Sequence, residues 1–77
     1  MTAVETIESM VLEVFREVLK NRDLDLEADF FEAGGDSLLA IDAIQLIGEH
    51  VGHELDPVII FMYPTPASCA GAIADVG

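Results

Sequence analysis

The sequence predicts an all-α domain in which three main helices and one short helix form a small bundle. Apolar residues recur at spacings of three and four over residues 3–20 and again over 37–51, which is the period of an amphipathic helix. Later in the chain a capping residue twice precedes proline, at Asp56-Pro57 and Thr65-Pro66, as at the start of a helix. We therefore expect the 77 residues to form one domain, residues 1–77.

The first helix covers residues 3–20, and Thr2 with Glu5 predicts a capping box at its start. Its predicted buried stripe consists of Ile7, Met10, Val11, Val14, Phe15, Val18 and Leu19. Residues 21–36 lose this periodicity and form a long loop, of a length that is often functional in a small domain. Four apolar side chains are expected to hold that loop on the core: Leu24, Leu26, Phe30 and Phe31.

The second helix, residues 37–51, ends before Gly52, which suits a helix stop. Its broad apolar side carries Leu39, Ala40, Ala43, Ile44, Leu46, Ile47 and Val51. Leu38 and Ile41 fall instead on the polar side, among Asp42, Gln45 and Glu49. Single exposed leucines need no explanation, but two beside one serine indicate a docking patch more than ordinary surface.

The two remaining helices are shorter. The third, about residues 57–62, is so densely apolar that it cannot all be buried. Part of it should therefore border the region around Ser37. The fourth, roughly residues 66–75, is rich in small apolar residues. Its Cys69 has no partner for a disulfide and is expected to pack as a small hydrophobe, because its neighbours Ser68 and Ala70 do not activate a thiol.

Composition limits the classes of function. Fifteen acids against three basic residues give a formal charge of −12, which argues against nucleic acid and anionic membrane and favours partners with basic patches. With 52% apolar residues, the chain is too apolar for disorder. No apolar run reaches the length of a membrane span, and the first residues do not resemble a signal peptide. We expect a cytoplasmic monomer.

Two candidate metal sites are weak. Asp23, Asp25, Glu27 and Asp29 alternate like calcium ligands. However, Ala28 stands where such a loop needs glycine and Gly34 where it needs glutamate, so a solvated acidic loop is the better interpretation. His50 and His53 lie near the end of the second helix without a further His or Cys cluster. No metal ligand is predicted.

The segment around Ser37 allows three interpretations. Gly35-Asp36-Ser37-Leu38 spells the motif of GDSL-type esterases, but no strand precedes it and no Asp-x-x-His pair supplies a base. Ser37 also suits a helix N-cap, as does Asp36. That role leaves unexplained the two glycines and the two phenylalanines before them. As a covalent attachment point, Ser37 needs only an accessible hydroxyl on a reproducible frame, and a helix N-terminus suits a phosphodiester.

The residues of this segment resemble a known family. Phe30-Phe31-Glu32-x-Gly34-Gly35-Asp36-Ser37-Leu38-Leu39-Ala40 resembles the 4′-phosphopantetheine attachment motif of carrier proteins, most of all the peptidyl carrier (thiolation) domains of nonribosomal peptide synthetases. Phe61-x-x-Pro64-Thr65-x-Ala67 is a second feature similar to that family. The resemblance implies a small carrier-protein four-helix bundle that is not an enzyme.

The resemblance also implies a cofactor and partners. A phosphopantetheinyl transferase would move 4′-phosphopantetheine from coenzyme A, with magnesium, onto Ser37. The thiol of that arm would hold aminoacyl, peptidyl or acyl groups as thioesters for a loading enzyme and for condensation, ketosynthase, tailoring or thioesterase partners. The docking residues implied by the family map onto Asp36, Leu38, Ile41, Asp42 and Gln45.

Some residues depart from the commonest peptidyl carrier pattern. Asp36 stands where many members have histidine, and with the −12 charge it favours an acyl carrier of a polyketide or fatty acid pathway. Pro66 and Cys69 replace branched residues of the last helix. Met1 and the lack of a linker favour a discrete protein, although an excised domain would look the same. A remote alternative is an acidic helical adaptor without a prosthetic group.

Overall fold

In the structure, a computed structural model, residues 3–52 and 54–76 are described, and they form four helices and no strand. The helices are α1 (Ala3–Leu19), α2 (Ser37–Val51), α3 (Val58–Met62) and α4 (Pro66–Val76). The all-α prediction is confirmed, and each end lies within a residue of its predicted place. The predicted capping box of Thr2 and Glu5, and His53, fall outside the residues whose side chains are described.

α1 packs against both α2 and α4, and the core lies between these helices. The stripes predicted for the first two helices face it as expected, and Phe30 of the long loop is fully buried. The buried apolar residues are Val11, Val14, Phe15, Leu24, Phe30, Ala40, Ala43, Ile44, Ile47, Ile59, Ile60, Cys69, Ala70 and Ile73. Cys69 is a small core residue as predicted, and burial raises the pKa of its thiol to about 12, which keeps the thiol protonated.

The long loop is tied to both of its flanking regions. The Nε and Nη2 groups of Arg16 donate to the Leu24 carbonyl at 3.0 and 2.7 Å. Further on, the Ala67 N–H donates to the Leu26 carbonyl at 3.1 Å. Arg22 and Arg16 both contact the Glu13 carboxylate, and these bonds hold the pKa of Glu13 below its usual value. The loop is therefore an ordered part of the fold, held by α1 on one side and by the start of α4 on the other.

The starts of α3 and α4 differ. At α4 the Thr65 hydroxyl accepts the Ser68 N–H at 3.1 Å, so the predicted cap before Pro66 is confirmed. At α3 the Asp56 carboxylate accepts the Val58 N–H at 3.0 Å, but the helix begins at Val58 and not at Pro57. The reason is that the Ile59 and Ile60 N–H groups bond three residues back, which makes the first turn tighter than an α-helical turn.

α1 ends in a strained residue. Lys20 has a φ of 56°, and the Asn21 N–H donates to the Arg16 carbonyl at 3.0 Å across that turn. This is the Schellman arrangement, in which glycine is the usual residue because it alone adopts left-handed angles without steric cost. Lys20 is exposed, so its side chain contributes no core packing.

We expect Lys20→Gly to raise the free energy of unfolding by about 0.5–1 kcal/mol, because it relieves the left-handed backbone strain at the end of α1. Urea denaturation followed by circular dichroism measures the change. Lys20→Ala is the matched control, since it removes the same charge but keeps a Cβ. If Lys20→Ala stabilises the protein as much as Lys20→Gly, the gain comes from charge and not from the backbone.

Candidate functional site

Ser37 is the first residue of α2, and it is exposed. Asp36, and not Ser37, is the N-cap: its backbone is extended, and its carboxylate accepts the Leu39 N–H at 2.9 Å. The interpretation of Ser37 as a cap is therefore wrong. Within the described part of the chain the Ser37 hydroxyl has no hydrogen-bond partner, which leaves it available to an external reactant.

The two glycines before Ser37 are needed for different reasons. Gly34 has a φ of 112°, in the region that side chains disfavour. Gly35 lies directly against Phe30: a Cβ at Gly35 would be 2.7 Å from the Phe30 carbonyl oxygen and closer still to the ring. The Gly35 N–H also donates to that carbonyl at 2.9 Å. The chain therefore turns at Gly34 and packs on Phe30 at Gly35 before it enters α2.

Asp29 has a structural role that the interpretation as a solvated acidic loop did not include. Its carboxylate accepts the N–H groups of Phe31 and Glu32 at 2.9 and 3.0 Å, which is an Asx turn. Asp25 accepts the Glu27 N–H in the same way at 2.9 Å. The sequence carried a signal for these turns, because aspartate is one of the residues whose side chain bonds the backbone N–H two residues on. Two of the four alternating acids, Asp25 and Asp29, thus order the loop, and no cluster that could hold a metal lies within residues 3–52 and 54–76.

A hydrolytic role for Ser37 has no histidine base within reach among residues 3–52 and 54–76. His50 lies in the last turn of α2, thirteen residues beyond Ser37 and so about 20 Å away along the helix. General-base catalysis needs the two groups within hydrogen-bond reach. His50 therefore cannot activate Ser37, and His53 is not among the described residues.

The residues predicted for docking are all on the surface. Asp36, Leu38, Ile41, Asp42 and Gln45 are exposed, with Leu38 at 74% and Ile41 at 39%. Ile41 and Gln45 also line a groove of about 590 Å³ that runs along α2 towards Leu55. Their exposure is confirmed, whereas their role in docking stays a prediction.

α3 and the residue after it also carry exposed apolar residues. They are Val58, Phe61, Met62 and Tyr63. Ile59 and Ile60 of the same helix are buried. The Phe61 ring stacks on Phe31, at 5.1 Å between ring centroids, which brings α3 to the loop that precedes Ser37. The prediction that the third helix lies near this region is supported by that contact.

The start of α2 can accept a phosphodiester. The N–H groups of Ser37 and Leu38 have no acceptor among the described residues, whereas those of Leu39 and Ala40 bond to Asp36. Free N–H groups and the helix dipole both favour an anion at this end of a helix. A phosphate ester on the Ser37 hydroxyl would lie beside these two donors, so the residues present fit a phosphopantetheine group.

We expect Gly35→Ala to lower the free energy of unfolding by roughly 1–3 kcal/mol, because the added methyl group overlaps the Phe30 ring and carbonyl. Gly71→Ala in α4 is the matched control, since a Cβ there meets nothing within 4 Å. It should stabilise the chain by about 0.5–1 kcal/mol through helix propensity. Urea denaturation of both variants tests the contrast. An equal response of the two variants would contradict the close packing of Gly35 on Phe30.

Comparison with known proteins identifies the family. The model of the phosphopantetheine attachment site family matches residues 9–73. A linear gramicidin synthase of Brevibacillus parabrevis is 41% identical over 61 residues, which cover 79% of this chain and 1% of that protein. Pyochelin synthetase PchF of Pseudomonas aeruginosa is 39% identical over 72 residues, which cover 86% of this chain and 4% of that protein. The chain thus spans only a small part of these relatives.

Solved structures show the same fold. A nonribosomal peptidyl carrier protein domain has a TM-score of 0.75 and 31% identity, and the match covers 84% of this chain and 83% of that one. BlmI, a type-II acyl carrier protein from Streptomyces verticillus, has a TM-score of 0.91 at 22% identity, with 95% and 88% covered. No helix among the described residues is long and apolar enough to span a membrane. The chain belongs to the phosphopantetheine attachment site family, whose members are carrier-protein domains with a covalently attached phosphopantetheine.

Proposed function

We propose that Ser37 carries the 4′-phosphopantetheine arm and that the chain is a peptidyl carrier of nonribosomal or hybrid peptide–polyketide synthesis. The observation that carries this proposal is the free, exposed Ser37 hydroxyl at the first residue of α2. The bound arm supplies a thiol that holds aminoacyl, peptidyl or acyl groups as thioesters. Such tethering raises the effective concentration of the cargo at each partner enzyme.

In the described part of the chain, the Ser37 nucleophile has no histidine base beside it. Ser37 Oγ would attack the phosphorus on the pantetheine side of the coenzyme A diphosphate. The P–O bond within the diphosphate would break, adenosine 3′,5′-bisphosphate would leave, and the serine proton would pass to the transferase. His50 is too distant to take that proton, so a phosphopantetheinyl transferase has to provide both the base and the magnesium site. This division of labour supports a carrier that is not itself an enzyme.

The backbone around Ser37 has a separate part in the proposal. The Ser37 and Leu38 N–H groups would donate hydrogen bonds to the phosphodiester, while the Asp36 carboxylate continues to accept the Leu39 N–H. The cap therefore leaves two first-turn donors free for the phosphate. The Cys69 thiol, which is buried, cannot substitute for the thiol of the arm.

The relatives bear on the type of carrier. They include gramicidin, pyochelin and mycosubtilin synthetases, and a polyketide synthase, PksM, is 36% identical over 52 residues. These names favour peptidyl cargo. An acyl carrier of a polyketide pathway is the second candidate, favoured by Asp36 and by the charge of −12. A place in the cytoplasm, where coenzyme A and loading enzymes act, is part of the same proposal.

We expect wild-type protein incubated with coenzyme A, magnesium and a broad-specificity transferase to gain one phosphopantetheine, as read by intact mass. Ser37→Ala should gain none, because it lacks the hydroxyl. Ser9→Ala is the matched control, since Ser9 is an exposed serine on α1. Failure of the wild type to gain mass, or gain by Ser37→Ala, would overturn the assignment.

A partner surface surrounds this serine. Leu38 and Ile41 are exposed apolar residues within an acidic surface, and Ile41 with Gln45 lines the groove beside α2. Because the chain has a charge of −12, we propose that loading and condensation enzymes meet this face with an apolar centre and a basic rim. Asp36 and Asp42 would then contribute to the rate of association more than to affinity.

We expect Leu38→Ala and Ile41→Ala each to lower kcat/KM for modification or loading roughly tenfold, since each removes an apolar anchor from the interface. Helicity should not change, because both side chains are largely outside the core. Kinetics by mass spectrometry with circular dichroism measures both effects, and Ser9→Ala on α1 is the control. Wild-type rates in both variants would mean that the patch is ordinary surface.

A further inference from the structure

Four phenylalanines connect α1 to α3 through the loop before Ser37. Phe15 of α1 and Phe30 meet edge to face, at 4.9 Å between ring centroids. Phe30 meets Phe31 in the same way at 5.3 Å. Phe31 then stacks on Phe61 at 5.1 Å, with an angle of 23° between the rings. The outer end of this aromatic row is Phe61, which is 49% exposed.

The backbone of residues 31–36 has only local support. In the described part of the chain, the hydrogen bonds donated by these residues end on Asp29, Phe30 and Phe31. Phe30 reaches further, because its N–H donates to the Pro64 carbonyl at 2.8 Å. Residue 36 is tied to α2, because its carbonyl accepts the Ala40 N–H at 2.9 Å. The position of residues 31–35 on the bundle depends instead on side chains, chiefly the buried Phe30 and the half-buried Phe31.

Phe61 supports Phe31 from outside. α3 is a five-residue helix, too short to be stable by itself, but Ile59 and Ile60 fix it in the core. The Phe61 ring thus projects from a fixed element and covers one face of Phe31. Loss of this ring would allow Phe31 to leave its place and would loosen the turn that ends in the bond between Gly35 and Phe30.

We propose that Phe61 is a positioning residue for the modification of Ser37, and that it acts through Phe31. The inference rests on the proposed attachment at Ser37. The stack holds residues 31–35 in the conformation that presents the Ser37 hydroxyl at the first turn of α2. The free energy of an aromatic stack corresponds to roughly a two- to tenfold change in rate. Phe61→Leu should lower kcat/KM for modification by that factor.

A double-mutant cycle separates this action from direct contact with the transferase. If Phe61 acts through Phe31, then Phe61→Leu, Phe31→Leu and the double variant should all have similarly lowered kcat/KM values. If Phe61 instead binds the transferase directly, the two effects should multiply in the double variant. Phe61→Tyr keeps an aromatic ring for the stack and should therefore have the wild-type kcat/KM. Met62→Leu is the control, since Met62 is the neighbouring exposed residue.

Amide hydrogen exchange gives a readout that does not depend on any enzyme. In Phe61→Leu the Gly35 amide, bonded to the Phe30 carbonyl at 2.9 Å, should exchange several-fold faster. The Gly52 amide, bonded to the Gly48 carbonyl at 2.8 Å at the other end of α2, should exchange as in the wild type. Global destabilisation would accelerate both amides, so the comparison isolates the turn.

The outcomes are distinct. A wild type that is not modified overturns the attachment at Ser37, whatever Phe61 does. A wild type that is modified, with multiplying effects in the double variant, overturns only the action of Phe61 through Phe31. Unchanged exchange at Gly35 in Phe61→Leu also overturns the action of Phe61 through Phe31, and so does a lowered kcat/KM in Phe61→Tyr. Similarly lowered rates in the single and double variants, with faster exchange at Gly35 alone, support it.

Discussion

The structure around the site depends on the packing of Phe30 against Gly35. Phe30 is fully buried, and its ring meets Phe15 of α1 while its carbonyl accepts the Gly35 N–H. Its own N–H donates to Pro64, between α3 and α4. One residue thus connects the first helix, the start of the second and the link between the last two. This arrangement needs glycine at position 35, because any Cβ there would overlap the ring.

The acids of this chain have two physical roles. Asp25, Asp29, Asp36 and Asp56 each accept a backbone N–H within three residues, so their carboxylates fix turns and helix starts. Others remain on the surface and account for much of the charge of −12. The first role orders a loop that has no strand or metal among the described residues to support it. The second favours basic partners and keeps like-charged surfaces apart.

The described residues of the site present a hydroxyl and place neither a histidine nor a thiol beside it. Ser37 lies on a rigid helix start with its hydroxyl free, and the only histidine of the described residues lies at the far end of α2. The sole thiol, Cys69, is buried in α4, with its pKa raised to about 12. Under the proposed function, the reactive group and the catalysis come from partner enzymes. This agrees with membership of a family of carrier domains.

Sequence by itself determined the helices, because the apolar periods of α1 and α2 and the caps before Pro57 and Pro66 are local signals. It also singled out Ser37, and it indicated that Leu38 and Ile41 are exposed. The long loop was less predictable, since its order comes from contacts between distant residues, such as Arg16 with Leu24. The turn role of Asp29 was not predicted, because alternating acids suit a solvated loop as well as a series of turns, and spacing does not distinguish those two.

Tertiary structure decided what the glycines and phenylalanines do. A capping role for Ser37 left the two glycines unexplained, and the structure shows that Phe30 of the same chain occupies the space at Gly35. It also decided that Asp36 caps α2, so that the Ser37 hydroxyl is free. Local pattern cannot predict the stacking of Phe31 on Phe61, because thirty residues separate them and only the packing of α3 brings them together.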